Sequence, residues 1–312
     1  MPHYQIIVNP TSGRGAGLKS VPSIKQYFDD QAWTYDICLT ERPWHAAELT
    51  QASVAAGYDV ILGVGGDGTA NEIINGLMVA QQAGLGTAAM GMLAVGRGND
   101  FAFSMHIPVG LEAGLHTLAV NHRDKIDIGR VTGGDYPQGR YFGNGIGIGF
   151  DAVVGFEALK LTWLTGFPSY LVAVLKTLFL YFRAPRVQIA YDQDNLTLPA
   201  LMVSIMNGRR MGGGFMMAPD SSNADGLLDL CIARQVSRGR ILTLIPYFLK
   251  GTQATQEEII TFRASRVDVT AIESVLPAHA DGETLCTQGE RLTIELLPAQ
   301  IDLICQAQQE AA

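Results

Sequence analysis

The sequence has few cysteines and little clustering of metal-ligand residues. Its four cysteines, at positions 38, 231, 286 and 305, are scattered without a CxxC pair, and its six histidines show no ligand spacing outside residues 279–283. This pattern suits a reducing cytosol and argues against a zinc site or a disulfide scaffold. We therefore expect a cytoplasmic protein.

Positive charge is also scarce. The chain has 22 Lys and Arg residues against 30 Asp and Glu residues, a net charge of −8, so nucleic acid is not expected as a partner. A local basic patch would still allow contact with an anionic membrane. Residues 1–5 contain neither a basic region nor a signal-like apolar region, so no secretory leader is expected.

No uninterrupted apolar run reaches the length of a membrane span. The nearest candidate is residues 161–182, but Pro168 interrupts it and Lys176 lies within it, which leaves less than the roughly 20 apolar residues that a span needs. We interpret the segment as an amphipathic or buried helix with Lys176 and Arg183 extending to the surface. A helix facing the core, a helix facing lipid and a true span are the three alternatives.

The chain does have enough apolar sequence for two domains, since 47% of its 312 residues are hydrophobic. Residues 1–122 alternate between strand and helix patterns, which predicts right-handed βαβ units and a parallel sheet covered on both faces. The predicted strands are residues 4–8, 33–38, 60–64 and 88–93, and the predicted helices are residues 18–29, 44–56, 70–80 and 111–119.

Residues 123–312 follow a different pattern. Short segments of alternating polarity and glycine-rich turns predict a second, mainly antiparallel β domain, interrupted by helices near 152–182 and 237–250. We expect the C-terminal segment to pack back on the first domain. A ligand site is expected in a cleft between the two domains.

The most informative motif is the turn at residues 65–69, GGDGT, between the third predicted strand and a helix. Its glycines let the backbone approach a ligand closely, and the helix start offers unpaired N–H groups to an anion. A carboxylate there would repel a phosphate unless a cation such as nucleotide-bound Mg²⁺ accompanied Asp67. The turn is neither a Walker A loop nor a GxGxxG loop. A tight turn without a ligand is the alternative interpretation.

Two further turns follow predicted parallel strands and should lie at the same sheet edge. Residues 9–15, NPTSGRG, offer hydroxyls, backbone N–H groups and the Arg14 guanidinium to phosphate oxygens. Residues 96–102, GRGNDFA, include Asn99 and Asp100, which can bind hydroxyls or waters around a metal. Each turn alone could be a polar connection, but three on one edge predict a nucleotide site.

Two oxygen-rich segments of the second part are also candidate sites. Residues 219–229 contain carboxylates and a turn glycine, a composition that can hold a hard cation, with an acidic surface turn as the alternative. Residues 279–283, HADGE, would present positions 279, 281 and 283 on one face if extended. Two carboxylates and an imidazole there could hold a metal or supply a general base. A hairpin turn with a solvated polar face is the alternative.

Together these segments resemble the diacylglycerol/sphingosine lipid kinase family, and most closely its bacterial soluble members. The GGDGT element alone is shared with NAD kinases and related phosphofructokinases, whereas NPTSG, the Asn-Glu after GGDGT and the paired ADG and DGE elements favour the lipid branch. The matching motifs cover nearly the whole chain: residues 9–13, 65–76, 98–102, 126–129, 142–151, 207–208, 212–214, 218–219, 225–227 and 281–283.

The resemblance implies an NAD kinase-like fold, in which a Rossmann-like parallel α/β nucleotide-binding domain is followed by an antiparallel β-sandwich, with the active site between them. It also implies ATP and Mg²⁺ as cofactors. From the motifs and the resemblance, the residues expected to bind the nucleotide are Asn9, Pro10, Thr11, Ser12, Gly13, Arg14, Thr40, Gly65, Gly66, Asp67, Gly68, Thr69, Ala70, Asn71, Arg97, Asn99 and Asp100.

The resemblance also assigns metal ligands. Asp67 would contact the magnesium of the nucleotide. Ser222, Asp225 and Leu227 match the positions that hold a second, structural Mg²⁺, the first and last through backbone oxygens. Arg97 departs from the family, which commonly has Thr there, so a long cation replaces a small hydroxyl near the expected phosphates.

Glu283 matches the residue usually assigned as proton acceptor, and Asp281 belongs to the same network. We therefore expect an ATP- and Mg²⁺-dependent kinase that phosphorylates a lipid hydroxyl, with diacylglycerol as the default acceptor. The lipid would be drawn from a membrane surface, so peripheral and reversible membrane association is expected, with the helix at 161–182 as the entrance.

Two alternatives stay open at this stage: NAD kinase-like phosphorylation of a soluble nucleotide or sugar, and nucleotide or lipid binding without catalysis. Phosphatidylglycerol, a sphingoid base or a polyprenol as acceptor would leave similar motifs. The oligomeric state is also open, a homodimer included.

Overall fold

The computed structural model describes residues 2–161, 167–180 and 184–307. The chain forms two compact units. The first contains the residues up to Asp127 together with those from Ala299 onward, and the second is Ile128–Pro298.

The first unit is built on a parallel sheet with the strand order β2-β1-β3-β4. Its inner strands are buried, as in βαβ folds whose helices cover both faces of the sheet: every residue of β3 and β4 is buried. The edge strand β2 has only exposed and half-buried positions. The predicted parallel sheet is confirmed, and each strand lies within about two residues of its predicted bounds. The strands are β1 (His3–Val8), β2 (Thr34–Leu39), β3 (Val60–Gly65) and β4 (Ala89–Ala94).

Three helices connect these strands, and two more follow β4. Four of these five helices were predicted from their periodicity, but the five-residue α4 was not, because one turn is too short to show a period. The stretch assigned to α1 includes three residues with positive φ, Gly13, Arg14 and Gly15, so its regular part begins after them. The helices are α1 (Ser12–Asp30), α2 (His45–Ala55), α3 (Asp67–Gln82), α4 (Asp100–Ser104) and α5 (Leu111–Val120).

The second unit is an antiparallel β-sandwich. The long strand β9 pairs with β7, β8 and β10, and further antiparallel pairs join β13 to β7 and β14, and β12 to β8 and β15. The strands are β5 (Arg123–Gly133), β6 (Tyr136–Phe142), β7 (Gly145–Gly149), β8 (Arg186–Tyr191), β9 (Asp194–Met206), β10 (Leu228–Arg234), β11 (Ile259–Ala264), β12 (Arg266–Ala271), β13 (Leu276–Ala280), β14 (Glu283–Gly289) and β15 (Arg291–Ile304).

Strands β5 and β15 contain the points where the chain leaves and re-enters the first unit. The end of β15 pairs in parallel with β4, through Leu303 and Met90. A buried apolar cluster fills the sandwich, with residues such as Phe142, Ile205 and Leu230 at its centre.

Within the part of the chain that the structure describes, three α-helices accompany the sandwich: α6 (Phe150–Leu159), α7 (Phe167–Leu180) and α8 (Arg238–Lys250). They form a second apolar cluster with β9 and β10. Of the predicted segment 161–182, residues 162–166 and 181–182 lie outside the described residues, as does Arg183. No helix among the residues that the structure describes is long and apolar enough to cross a membrane.

Candidate functional site

The turn after β1 folds into a loop that has no room for a side chain at Gly13. Gly13 has φ +57°, and a β-carbon there would lie 2.1 Å from the carbonyl oxygen of Val95. The Asn9 side chain organises the start of this loop, because its Oδ1 accepts hydrogen bonds from the N–H and the hydroxyl of Thr11. Arg14 is exposed and has φ +60°. The loop therefore presents backbone groups and one guanidinium to solvent.

This first loop is bonded to the start of α3. The Asn9 Nδ2 donates to the Thr69 hydroxyl at 3.2 Å. Thr69 in turn lies against the turn after β3, where a β-carbon on Gly65 would meet the Thr69 hydroxyl at 2.2 Å. Glycine is required at position 65 because the helix start packs directly on the backbone of the turn.

The turns after β3 and β4 are also in contact. A β-carbon on Gly96 would lie 2.5 Å from the α-carbon of Gly66. The N–H groups of Val95 and Gly96 both donate to the Gly65 carbonyl. The structure thus brings together the three turns that the sequence singled out, at the carboxyl ends of β1, β3 and β4.

Asp67 joins two of these turns through its carboxylate. Its Oδ1 accepts a hydrogen bond of 2.9 Å from the N–H of Phe101, in the first turn of α4. Its Oδ2 faces Gly98, at 2.9 Å from the position that a β-carbon on Gly98 would occupy, and Asp100 Oδ2 lies 3.8 Å from the same position. Two carboxylate oxygens therefore converge on a space that exists because residue 98 has no side chain. Mg²⁺ prefers such oxygen donors.

The other predicted nucleotide residues lie in or beside these loops. Asn99 is buried with its amide donating to the Gly96 carbonyl, whereas Arg97 is exposed. Thr40 directly follows β2, and its N–H donates to the Val8 carbonyl. Asn71 is buried in the first turns of α3, where its side-chain oxygen accepts from the Asn75 amide.

Glu72 has a structural role that the sequence did not reveal. Its carboxylate accepts a 3.0 Å hydrogen bond from the N–H of Ala46, in the first turn of α2. A carboxylate at a helix N-terminus satisfies an unpaired donor and is favoured by the helix dipole. Glu72, the Glu of the Asn-Glu pair after GGDGT, therefore bonds α3 to the start of α2.

In the second unit, residues 279–283 form a hairpin turn, which is the alternative that the sequence left open, and positions 279, 281 and 283 therefore do not share one face as they would in an extended segment. Asp281 and Gly282 have φ values of +49° and +85°, as in the two-residue type I′ turns favoured by Asp-Gly. Ala280 pairs with Glu283, and His279 pairs with Thr284. Because facing alternates along a strand, His279 and Glu283 point to opposite faces, with Glu283 exposed and His279 buried.

Asp281 anchors this hairpin turn. Its carboxylate accepts hydrogen bonds from three consecutive N–H groups, those of Gly143, Asn144 and Gly145, at 2.8 to 3.0 Å. Its own N–H donates to the Gly145 carbonyl. A carboxylate with three backbone donors holds the turn that carries Glu283 in one orientation.

The anchoring network continues into the oxygen-rich loop at 219–229. The Asn207 side chain donates to the Gly143 carbonyl, and the Ser221 hydroxyl donates to the Asn207 carbonyl. The hydroxyl of Ser222 accepts a 3.4 Å hydrogen bond from the N–H of Ala224. The predicted metal-binding loop and the Glu283 turn are thus parts of one hydrogen-bonded assembly within the second unit.

Arg263 already places a positive charge in this loop. Its guanidinium lies 3.5 Å from Asp225 Oδ2 and 2.9 Å from Asp229 Oδ1. Burial is the largest influence on Asp229 and raises its pKa, despite the opposing effect of Arg263. The other carboxylate oxygen of Asp225 accepts the Leu227 N–H at 3.1 Å. The donor chemistry of Ser222, Asp225 and Leu227 suits a hard cation, with Arg263 as a competing partner of Asp225.

His279 links the Glu283 turn to an apolar cavity. Its Nδ1 accepts the N–H of Gly282 at 3.3 Å, and its Nε2 lies 3.8 Å from Asp151 Oδ2. Asp151 lines a cavity of about 70 Å³ whose walls come from α6, α7, α8 and neighbouring strands. Among the described residues that line it, Asp151 is the one charged side chain; the others include Phe150, Val174, Met202, Phe215, Ile241 and Phe248.

Two family models match this chain. One, described as the diacylglycerol kinase catalytic domain, matches residues 3–131, and the other, described as the YegS C-terminal NAD kinase beta sandwich-like domain, matches residues 144–305. The chain belongs to the bacterial diacylglycerol kinase-like family of lipid kinases.

Curated relatives agree with this assignment over nearly full length. A protein named diacylglycerol kinase from Mycobacterium tuberculosis is 27% identical over 304 residues, which cover 97% of this chain and 93% of that protein. Another of the same name from Bacillus subtilis is 29% identical over 294 residues, covering 91% of this chain and 90% of that protein. The chain is therefore similar to kinases along both of its units.

Solved structures show the same fold. A crystal structure of a diacylglycerol kinase from Bacillus anthracis str. Sterne matches with a TM-score of 0.71 at 21% identity, covering 98% of this chain and 97% of that one. Yeast NADH kinase complexed with NADH matches with a TM-score of 0.51 at 9% identity, covering 99% of this chain and 84% of that one. The predicted fold class, an α/β domain followed by an antiparallel β-sandwich, is confirmed.

Sequence reasoning missed the cavity and its polar wall. Asp151 stands in a motif that carried the family resemblance, but nothing in its spacing indicated a cavity. The cavity residues come from segments far apart in the chain, from Phe150 to Phe248, and isolated apolar residues of this kind give the same pattern as an ordinary core.

Proposed function

We propose that this protein is an ATP- and Mg²⁺-dependent lipid kinase that transfers the γ-phosphate of ATP to a lipid hydroxyl, with diacylglycerol as the default acceptor and phosphatidic acid as product. The observation that carries the lipid assignment is the apolar cavity joined to the Glu283 turn through Asp151 and His279. A soluble, highly polar acceptor would gain nothing from such a cavity.

The nucleotide half of the proposal rests on the three converging turns. Backbone N–H groups of residues 9–14 and 65–70, with the Arg14 guanidinium, are suited to phosphate oxygens. The start of α3 adds a helix N-terminus, where an anion is favoured. Arg97 is exposed on the third turn and is the second cation available there.

The Asp67 carboxylate, with Asp100 nearby, fits the requirement for a magnesium site. Gly98 leaves space between the two carboxylates, and the donors are oxygens, as Mg²⁺ prefers. When bound, Mg²⁺ would neutralise the negative charge on the phosphate groups of ATP during the transfer. The Phe101 N–H holds the other oxygen of Asp67, so this side chain is fixed before any ligand binds.

Glu283 is proposed as the proton acceptor. The lipid hydroxyl oxygen attacks the γ-phosphorus, and its proton passes to the Glu283 carboxylate. The bond between the γ-phosphorus and the β-phosphate oxygen breaks, and ADP leaves with that oxygen and the bonding electrons. The Glu283 side chain is exposed. The Asp281 carboxylate, by contrast, is occupied by the backbone N–H groups that anchor the hairpin turn. Asp281 is instead a positioning residue, because its two oxygens accept three backbone hydrogen bonds.

The lipid half rests on the size and lining of the cavity. Its volume of about 70 Å³ is several times the roughly 10–15 Å³ that one water needs, so it fits a portion of an acyl chain. Apolar walls favour transfer of methylene groups from water, at about 0.8 kcal/mol for each. Asp151 offers a polar group at the wall for the glycerol end of the lipid, and His279 lies behind it, 3.8 Å from its Oδ2.

The helices over this cavity also suit contact with a membrane surface. Val174 of α7 and Leu244 of α8 line the cavity, while Leu175 of α7 and Leu242 of α8 are exposed on the same helices. The α8 residue Arg238 donates to the Leu178 carbonyl and so ties the two helices together. Exposed Lys160 and Lys176 share one carboxylate partner, Glu157, and so keep a net positive charge that favours an anionic lipid surface. Lys250, the last residue of α8, is also exposed.

The test is incubation of the protein with labelled ATP, Mg²⁺ and either diacylglycerol in anionic vesicles or NAD. The proposal predicts label in phosphatidic acid and none in NADP. Label in NADP would favour NAD kinase-like activity, and ATP binding without label in any acceptor would favour a binding protein. A total lipid extract, followed by identification of the labelled product, extends the test to other lipids.

A further inference from the structure

Three side chains with metal-binding atoms meet in the first unit, and none of them belongs to the three nucleotide loops. His122 and Asp124 lie two residues apart at the start of β5, and Cys305 follows the last residue of β15. The Cys305 N–H donates to the His122 carbonyl. The imidazole, carboxylate and thiol ligand atoms all lie within 4.8 Å of one another. Since Asp124 and Cys305 are 181 positions apart, no sequence spacing could reveal this cluster.

The distances within the cluster are already close to those of a metal site. His122 Nε2 lies 3.1 Å from Asp124 Oδ1, and Cys305 Sγ lies 3.3 Å from Asp124 Oδ2. Zinc bonds of about 2.0–2.3 Å in a tetrahedron place neighbouring ligand atoms roughly 3.4–3.6 Å apart. Small side-chain rotations would therefore suffice to surround an ion.

We propose that His122, Asp124 and Cys305 bind a borderline divalent cation of the Zn²⁺ class, with water as fourth ligand. One nitrogen, one oxygen and one sulfur donor suit Zn²⁺ and exclude Mg²⁺, which prefers oxygen alone. The side chains of His122 and Asp124 are 37% and 40% exposed, so an ion can reach them from solvent. This site is separate from the proposed kinase chemistry and does not depend on it.

The chemistry of Cys305 argues against a nucleophile in the same place. Its thiol donates to the Asp124 carboxylate rather than to an imidazole. As the donor of this hydrogen bond, the thiol carries its proton when no ion is bound. On metal binding the sulfur–metal bond replaces the S–H bond, and the proton is released to solvent.

The position of the cluster suggests what binding would do. His122 and Asp124 lie just before the chain leaves the first unit, and Cys305 lies just after it returns. An ion held by all three would tie the outgoing segment to the returning one. Because the unfolded chain lacks this arrangement, binding would stabilise the folded state.

The test is titration of metal-free protein with Co²⁺, which replaces Zn²⁺ and gives a sulfur-to-metal charge-transfer absorption when a thiolate binds it. We expect this absorption to saturate at one Co²⁺ for each chain and to be displaced by Zn²⁺. We also expect Zn²⁺, and not Mg²⁺, to raise the melting temperature through this site.

Cys305→Ser should abolish the absorption, and His122→Ala should weaken Co²⁺ binding on the order of tenfold or more. Cys38→Ser is the matched control. Cys38 lies two residues from Asp36 on β2, and Asp36 pairs with His3, but the ligand atoms of these three described residues are not close enough together to hold a metal ion. Because Cys305 is buried, His122→Ala, at a half-exposed position, keeps the test valid if Cys305→Ser fails to fold. The proposal would be overturned if the wild type gave no such absorption. It would also be overturned if folded Cys305→Ser kept the absorption, or if His122→Ala bound Co²⁺ as well as the wild type does.

Discussion

The Nε2 atom of His279 lies 3.8 Å from Oδ2 of Asp151, and this pair separates an apolar cavity from the turn that carries Glu283. A neutral imidazole that accepts the Gly282 N–H at Nδ1 carries its proton on Nε2, the atom that faces Asp151. Gly147 leaves room for both side chains, because a β-carbon there would lie 2.4 Å from Asp151 Oδ2 and about as close to His279.

This relationship predicts that His279 positions the Glu283 turn and the acceptor. We expect His279→Ala to lower kcat with a lipid acceptor on the order of tenfold, because misplacement of reacting groups is costly, while ATP affinity stays unchanged. Thr284→Ala, at the position that pairs with residue 279, is the control and should retain activity. An unchanged kcat in His279→Ala would remove this histidine from the account.

Asp281 is predicted to contribute to stability as well as activity. Replacing it with Ala would leave three backbone N–H groups without their carboxylate, at a cost of about 3 kcal/mol in the free energy of unfolding. Glu283→Gln changes an exposed residue and should leave stability near that of the wild type. Chemical denaturation of both variants measures the contrast. Equal stability of the Asp281→Ala variant and the wild type would show that the hydrogen bonds at 143–145 do not hold the turn.

Gly98 is predicted to be required for the Asp67 carboxylate to keep its position. A methyl group at residue 98 would lie 2.9 Å from Asp67 Oδ2, so Gly98→Ala must displace that oxygen. We expect KM for Mg-ATP to rise on the order of tenfold, with the fold retained. Gly239→Ala is the matched control, because nothing lies within 4 Å of a β-carbon there. Steady-state kinetics at varied Mg-ATP concentration measures this KM. An equal KM for Gly98→Ala and Gly239→Ala would refute the role of Gly98.

Glu157 is predicted to make stability pH-dependent. Its carboxylate ion-pairs with Lys160 and Lys176, and these lysines lower its pKa. A carboxylate whose pKa is lower in the folded state adds stability above its unfolded pKa and loses it as pH falls through the folded pKa.

Glu157→Gln should therefore cost about 1 kcal/mol at pH 7 and progressively less below a pH of about 4. Thermal unfolding across pH measures this, with the exposed Glu112→Gln as control. A penalty that does not change with pH would contradict the ion-pair account.

The sequence was sufficient to predict the fold, for identifiable reasons. Runs such as residues 60–64 are apolar throughout because parallel strands are covered on both faces, and the turns after β1, β3 and β4 are rich in glycine. The edge where turns gather follows from the parallel topology alone. The contacts between them, such as Asn9 with Thr69, did not follow, because they depend on side-chain rotamers and on how closely the helix start packs.

The second unit was harder to predict. The Asp-Gly dipeptide at 281–282 is a strong signal for a type I′ turn, so the extended interpretation of residues 279–283 gave too much weight to polar spacing. The anchoring of Asp281 by residues 143–145 joins segments about 137 positions apart. The cavity and the His122–Asp124–Cys305 cluster likewise arise only when distant strands pair, which a single sequence does not specify.

The central claim is that Glu283 accepts a proton from a lipid hydroxyl while the loops of the first unit bind ATP. The most direct measurement compares wild type and Glu283→Gln for transfer of labelled phosphate to diacylglycerol in vesicles, alongside ATP affinity by calorimetry. The account predicts a loss of kcat of about 10²–10⁴-fold, as for removal of a general base, with ATP affinity unchanged. Undiminished transfer by Glu283→Gln would contradict it.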